Sequence, residues 1–135
     1  MTSSHDDTVD AFLNRVQEAW NAGDAQTYAA QFSEDASYIA FIGVAILGRP
    51  EIERTHHEVF TMWQKGTRMA VKPIDVRTVD ADTTVVTTIG GIGTHPEFGY
   101  DKFQTYVLRR QEGRWLCVAF QNTAMSEEAK RAYNN

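Results

Sequence analysis

The groups in this 135-residue chain that could move a proton near neutral pH are four histidines and eighteen carboxylates. His56 is the best placed. Ile52, Val59, Phe60 and Trp63 share one face of a helix, and at 100° per residue His56 projects onto the same face. An imidazole inside an apolar face can act as general acid or base, because its ordinary pKa lies near neutrality. The alternative is a buried histidine bonded to a backbone carbonyl or to a polar group on a strand. His57 turns aside toward solvent, and adjacent helical residues point too far apart to share a metal. His5 falls in a tail and His95 in a loop, so no metal site is expected. Among the carboxylates, Asp35, Asp75 and Asp101 are candidates for the chemistry in which a buried acid moves a proton on carbon next to a carbonyl. Asp35 precedes a strand, where a turn or cap would also explain it. Asp75, between Pro73 and Arg77 in strand alternation, reads as outward-facing, whereas Asp101 follows a wide loop and could face a cavity mouth. The catalytic candidates are His56, Asp35 and Asp101.

A second set is suited to binding. Tyr28, Phe32, Tyr38, Phe41, Phe60, Trp63, Tyr106 and Phe120 come from segments that can converge, while Gln104 alternates with Tyr106 and Asn122 with Phe120. An apolar hollow with a few hydrogen-bonding groups suits a conjugated or polycyclic small molecule. An ordinary packed core of aromatics is the competing account. Cys117 has no partner for a disulfide and reads as a small buried hydrophobe. There is no Gly-x-Ser-x-Gly nucleophile turn. Gly90-Gly91-Ile92-Gly93 lacks the helix that must follow a dinucleotide loop, so no cofactor is expected and a redox role finds no support.

The elements that must position these residues begin with helices. Asp6 or Asp7 can cap a first helix whose stripe is Val9, Phe12, Leu13, Val16 and Trp20, ending at Gly23; Asp24 can cap a short second helix to Gln31. Residues 37–42 and 45–47 predict a hairpin, and Pro50 opens a third helix running to Lys65. Residues 69–79, 83–89, 102–110 and 115–123 read as four strands, with the glycine-rich stretch 90–99 as a wide connection, and a short helix follows Ser126. Helices grouped before an antiparallel sheet make one α+β domain. The expected divisions are a flexible tail over 1–7, the domain over 8–125 and a short C-terminal helix or tail over 126–135. In the last strand Leu116, Val118 and Phe120 alternate with Trp115, Cys117 and Ala119, so both faces look apolar. One face would meet the helices and the other a second copy, which predicts a homodimer packed sheet to sheet. A one-residue change of phase would exchange the lining residues.

Composition narrows the function classes. The net charge is −5 and the basic residues are scattered, which speaks against nucleic acid as a partner. The longest apolar run, Tyr38 to Leu47, is interrupted by Gly43 and too short to cross a membrane. No basic start or apolar stretch suggests a signal peptide, and with a single cysteine the expected location is the cytoplasm.

Three segments together carry a family likeness. Ala19-Trp20-Asn21-Ala22-Gly23-Asp24-Ala25, Phe32-Ser33-Glu34-Asp35-Ala36 and Gly48-Arg49-Pro50-Glu51-Ile52 resemble the opening signature of the SnoaL-like, SgcJ/EcaC-type branch of the nuclear-transport-factor-2-like (NTF2-like) superfamily. The closing stretch Gly113 to Thr123 is similar to the same branch. The resemblance spans residues 8 to 124. It implies an NTF2-like cone in which three N-terminal helices pack on a strongly curved, mostly antiparallel sheet, with a ligand cavity at the wide mouth. It also implies a role in polyketide, in particular enediyne, biosynthesis: binding a polyene or polycyclic intermediate and assisting its cyclisation or proton rearrangement. A non-catalytic carrier or assembly module of the same pathway is the alternative, since one fold hosts many functions.

Overall fold

The computed structural model describes residues 7–94 and 98–135. Helix α1 (Val9–Asn21) starts at Thr8, whose hydroxyl accepts from the Ala11 N–H at 3.0 Å, and not at the aspartates before it. Asp7 has another task. Its carboxylate takes two bonds from the Arg15 guanidinium and one from the Trp115 N–H at 2.7 Å, joining the start of the chain to a distant strand. Residue 7 is therefore part of the domain and not of a tail. Gly23, at φ 64°, makes the left-handed turn into α2 (Ala25–Ala29), which Asp24 caps through Thr27.

Strand β1 (Phe32–Ala40) and β2 (Val44–Leu47) form the expected hairpin, though β1 begins five residues earlier than its β-former run suggested. Pro50 then sits in the first turn of α3 (Arg49–Glu58), which passes into a π-turn, Val59–Trp63. Four long strands complete the sheet: β3 (Arg68–Asp80), β4 (Thr83–Gly93), β5 (Lys102–Gln111) and β6 (Arg114–Ala124). Their order is β2-β1-β6-β5-β4-β3, antiparallel except for the β1–β6 pair. The result is a curved, mixed α+β sheet with α1, α2 and α3 on its inner face. The short final helix, α4 (Glu127–Asn134), lies on the outer face, where Tyr133 meets Phe103 edge-on and Ile89 is buried. Asn134 ties it down by accepting from the Tyr100 N–H and donating to the Tyr100 carbonyl, both at 2.7 Å.

Two expectations are corrected by the sheet. The glycines at 90–93 belong to β4 and not to a connection, for a steric reason. A side chain at Gly90 would overlap the Gln104 amide, and one at Gly91 would overlap the Gly99 carbonyl, so only glycine lets these neighbours close in. The simple alternation of β6 also fails. Val107 pairs with Ala119 but Leu108 pairs with Cys117, so Val118 is an extra residue, and this bulge reverses the phase midway. Trp115, Cys117, Phe120 and Asn122 therefore face inward together, while Leu116, Ala119 and Gln121 face out.

Register fixes the open end of the cone. Arg68 lies opposite Gly93, Gly90 opposite Lys102, and Lys102 opposite Ala124, so the start of β3 and β5 and the end of β4 and β6 meet there, with Ala40 of β1 beside them. Ala40, Ile46, Val59, Met69 and Ile92, each half-buried against the core, line this mouth.

Candidate functional site

His56 is buried, and both ring nitrogens are engaged. Nδ1 lies 2.8 Å from the Ile52 carbonyl oxygen one helical turn back, and Nε2 lies 3.1 Å from the Tyr38 hydroxyl. For a neutral ring, only one assignment satisfies these contacts. A carbonyl can only accept, so Nδ1 carries the proton; Nε2 is then an acceptor, and Tyr38 must donate to it. That spends the single Tyr38 proton, so in the 3.0 Å contact between the phenols Tyr28 donates to Tyr38. One helix carbonyl thus orients a relay running from Tyr28 through Tyr38 to His56. Burial pushes the imidazole pKa from 6.5 down to about 4, against the opposing pull of the Ile52 carbonyl. The ring is neutral at physiological pH. Burial and mutual repulsion between would-be phenolates raise the tyrosines, Tyr28 and Tyr106 most of all.

The aromatic set surrounds this relay. Tyr28 stacks against His56 with centroids 4.5 Å apart, Tyr38 against Phe120 at 4.5 Å, and Phe32 lies 5.4 Å from both tyrosines. Phe60 and Trp20 close the helical side, and Tyr106 packs between Phe120 and Phe12. The deep interior is accordingly occupied by the protein's own rings, in contact with one another. The hollow expected among these rings is filled by the rings themselves, which leaves the mouth as the place where polar groups converge. On the inner rows there, the Thr88 hydroxyl donates to the Gln104 carboxamide at 2.8 Å, and Asn122 stands opposite Gln104.

Two polar groups at this site are left over. The Tyr106 hydroxyl, on a side chain only 1% exposed, has no hydrogen-bond partner among the described residues, and neither has the buried Asn122 Oδ1. Such an orphan costs about 1–3 kcal/mol, and each one invites an explanation. Tyr106 and Asn122 are diagonal neighbours on adjacent strands, on the same inner face.

The other predicted residues fall elsewhere. Trp63 is 72% exposed and Phe41 49% exposed, so neither lines the interior. The reason at Trp63 is the π-turn, whose extra residue per turn rotates Trp63 off the stripe shared by Ile52, His56 and Phe60. Phe41 occupies the hairpin tip, with the Lys102 ammonium 4.5 Å from its ring centroid. Asp35 is exposed and accepts from the Ser33 hydroxyl at 3.1 Å, far from use as a buried acid. Asp101 pairs with Lys102 at 2.9 Å at the rim, where its other oxygen is buried without a partner. Asp75 faces out, paired with Arg77. His5 and His95 lie outside the described residues. Tyr38, expected as part of an aromatic wall, is the polar strand group to which His56 bonds; which strand residue fills that place has no sequence signal, since eighteen residues of chain separate the two.

A surface groove of about 900 Å³ runs between the α1–α2 turn and α3, lined by polar residues such as Asp24, Glu53, Arg54 and His57. It contains none of the site residues. Among the described residues no group of three or more potential metal ligands comes together. Among the described residues no helix is long and apolar enough to cross a membrane.

The SnoaL-like domain family model matches residues 9–122. Among solved structures the chain is similar to a domain of unknown function with a cystatin-like fold from Nostoc punctiforme, at 26% identity and a TM-score of 0.81, covering 98% of this chain and 85% of that one. It is also similar to a ketosteroid isomerase-like protein from Erwinia carotovora atroseptica, at 17% identity and a TM-score of 0.68, covering 87% and 94%. A putative calcium/calmodulin-dependent protein kinase type II association domain from Thiobacillus denitrificans shares 17% identity and a TM-score of 0.76 over 89% and 97%. At these last two identities the likeness is one of fold. Comparison with curated proteins returned no match.

Proposed function

This chain belongs to the SnoaL-like domain family, and from that premise we propose that it holds an apolar small molecule at the open end of the cone and orients it for cyclisation or proton rearrangement. The observation that carries the proposal is the Tyr106 hydroxyl, buried and without a partner, beside the Tyr28–Tyr38–His56 relay. Its raised pKa keeps it a neutral donor across the physiological range. Aimed at a carbonyl oxygen, such a donor stabilises the negative charge that grows there as an enolate forms. The relay contributes position. It fixes Tyr28 with its proton committed to Tyr38, leaving the Tyr28 oxygen as an acceptor. Burial holds the Tyr38 phenol far above its ordinary range and the imidazole at about 4, so proton transfer along the resting relay carries a large cost and the relay does not ionise.

That cost favours a second reading, a binding or carrier module without turnover. Both readings place the protein in polyketide, in particular enediyne, biosynthesis in the cytoplasm, on the sequence resemblance, with a polyene or polycyclic intermediate as ligand. In both, the uncovered outer row, with half-buried Val85, Val107 and Leu116, packs against a second copy.

The test is Tyr106→Phe, with prodan, a polarity-sensitive naphthyl ketone, as probe. Removing the orphan hydroxyl leaves the fold intact and stabilises it by up to about 1 kcal/mol, while prodan binds about tenfold more weakly for want of the donor to its carbonyl. Unchanged prodan affinity would sink the pocket proposal.

A further inference from the structure

The rim of the cone bears an apolar patch that neither the packed core nor the relay uses. Helix α3 begins beside Ala36, where the Gly48 N–H donates to the Ala36 carbonyl at 2.8 Å, and has reached Tyr38 by His56. Continuing in that direction, the π-turn Val59–Trp63 comes level with Ala40 and the hairpin tip. The exposed side chains at this level are Phe41 at 49%, Ile42 at 70%, Met62 at 60% and Trp63 at 72%. Two flat rings, a branched aliphatic and a thioether are a costly set to leave in water on one rim, and such a patch marks a binding surface. π-turns of this kind recur at functional sites. Deeper in, the touching rings of Tyr28, Phe32, Tyr38 and Phe120 leave no depth for a bulky polycycle. A ligand that reaches Tyr106 and Asn122 past these rings must present a narrow head. Their orphan groups are complementary: the Tyr106 O–H can donate, and Asn122 Oδ1 can only accept. A hydroxyl satisfies both at once.

We infer that the ligand is a linear amphiphile, with a hydroxyl-type head at Tyr106 and Asn122 and an extended apolar chain lying across Phe41, Ile42, Met62 and Trp63. This rests on the pocket proposal above and narrows its ligand class from polyenes or polycycles to chains that carry a hydroxyl-type head. The ligand is then only partly enclosed, and the exposed rim residues supply the remainder of its cover.

All-trans-retinol tests the inference, since it joins a conjugated chain to a hydroxyl head and accepts energy from tryptophan. Trp20 and Trp115 are buried, so Trp63 is the tryptophan the chain would cover. Saturable one-to-one binding is expected, with quenching of tryptophan emission that is reduced in Trp63→Phe, the remainder coming from Trp20 beside the relay. Trp63→Ala combined with Phe41→Ala should weaken retinol about tenfold while leaving compact prodan unchanged, because truncating an exposed anchor removes contact without disturbing the core. Retinol affinity indifferent to the rim substitutions overturns the inference, and prodan binding that still depends on Tyr106 would then leave the pocket proposal standing. If neither probe binds, both fall.

Discussion

Lowering the pH should unfold this protein in a way that traces to His56. In the folded chain its imidazole has a pKa of about 4, because burial among Tyr28, Tyr38 and Phe60 penalises the charged ring; in the unfolded chain it returns to 6.5. The unfolded state therefore binds the proton first as pH falls, and stability drops wherever it holds more protons than the native state. The His56 contribution is intact above pH 6.5 and declines between 6.5 and 4. From the two pKa values the loss is roughly 2 kcal/mol by pH 5 and roughly 3 kcal/mol by pH 4, a sizeable part of the 5–15 kcal/mol typical of a domain. Asp7, Asp24 and Asp80, whose carboxyls are held below their usual range by hydrogen bonds and, at Asp7, by Arg15, add further loss at lower pH. His56→Gln separates the two contributions. Its carboxamide can donate to the Ile52 carbonyl and accept from Tyr38 without titrating. Urea unfolding followed by tryptophan fluorescence at pH 7 and pH 5 should show the parent losing roughly 2 kcal/mol more than the variant over that interval. Equal losses in the two proteins would refute the buried neutral imidazole and, with it, the assigned direction of the relay.

Gly90→Ala should destabilise by about 1–3 kcal/mol, because the new methyl displaces the Gln104 amide from Thr88; thermal denaturation measures it, and a neutral result would mean that Gln104 is free to move aside. Asn134→Ala should leave global stability within about 1 kcal/mol but speed amide exchange at Tyr100 and through α4, because the two bonds that hold the helix to the outer face are gone.

Periodicity located α1, the β1–β2 hairpin, the Pro50 helix and the long strands, because each element's stripe or alternation reflects its own burial. It failed where a neighbour set the geometry. Glycines 90–93 read as a loop, yet they are strand because the Gln104 side chain and the Gly99 carbonyl need the room. Simple alternation puts Leu116 and Val118 on the inner face with Phe120, but the bulge at Val118 gives that face Trp115 and Cys117 instead, and Trp63 reads with Phe60 although the π-turn rotates it into solvent. Most of the aromatic wall was legible: Tyr28, Phe32, Tyr38, Phe60, Tyr106 and Phe120 are all interior. His56 is singled out by its stripe, and the alternative weighed for it, a ring bonded to a backbone carbonyl or to a polar strand group, describes both of its contacts. What could not be read was the relay, since it depends on where β1 and α3 meet.

The sheet's one parallel pair has a consequence for how the chain is made. Strand β1 leaves the ribosome well before β6, the neighbour it pairs with. At about 5–20 residues per second, α1, α2 and β1 wait several seconds with Phe12, Tyr28, Phe32 and Tyr38 uncovered before Phe120 arrives to close over them. Nascent chains of this protein should therefore be clients of chaperones that shield apolar segments, and a stall anywhere before Trp115 would release a sticky, half-built cone.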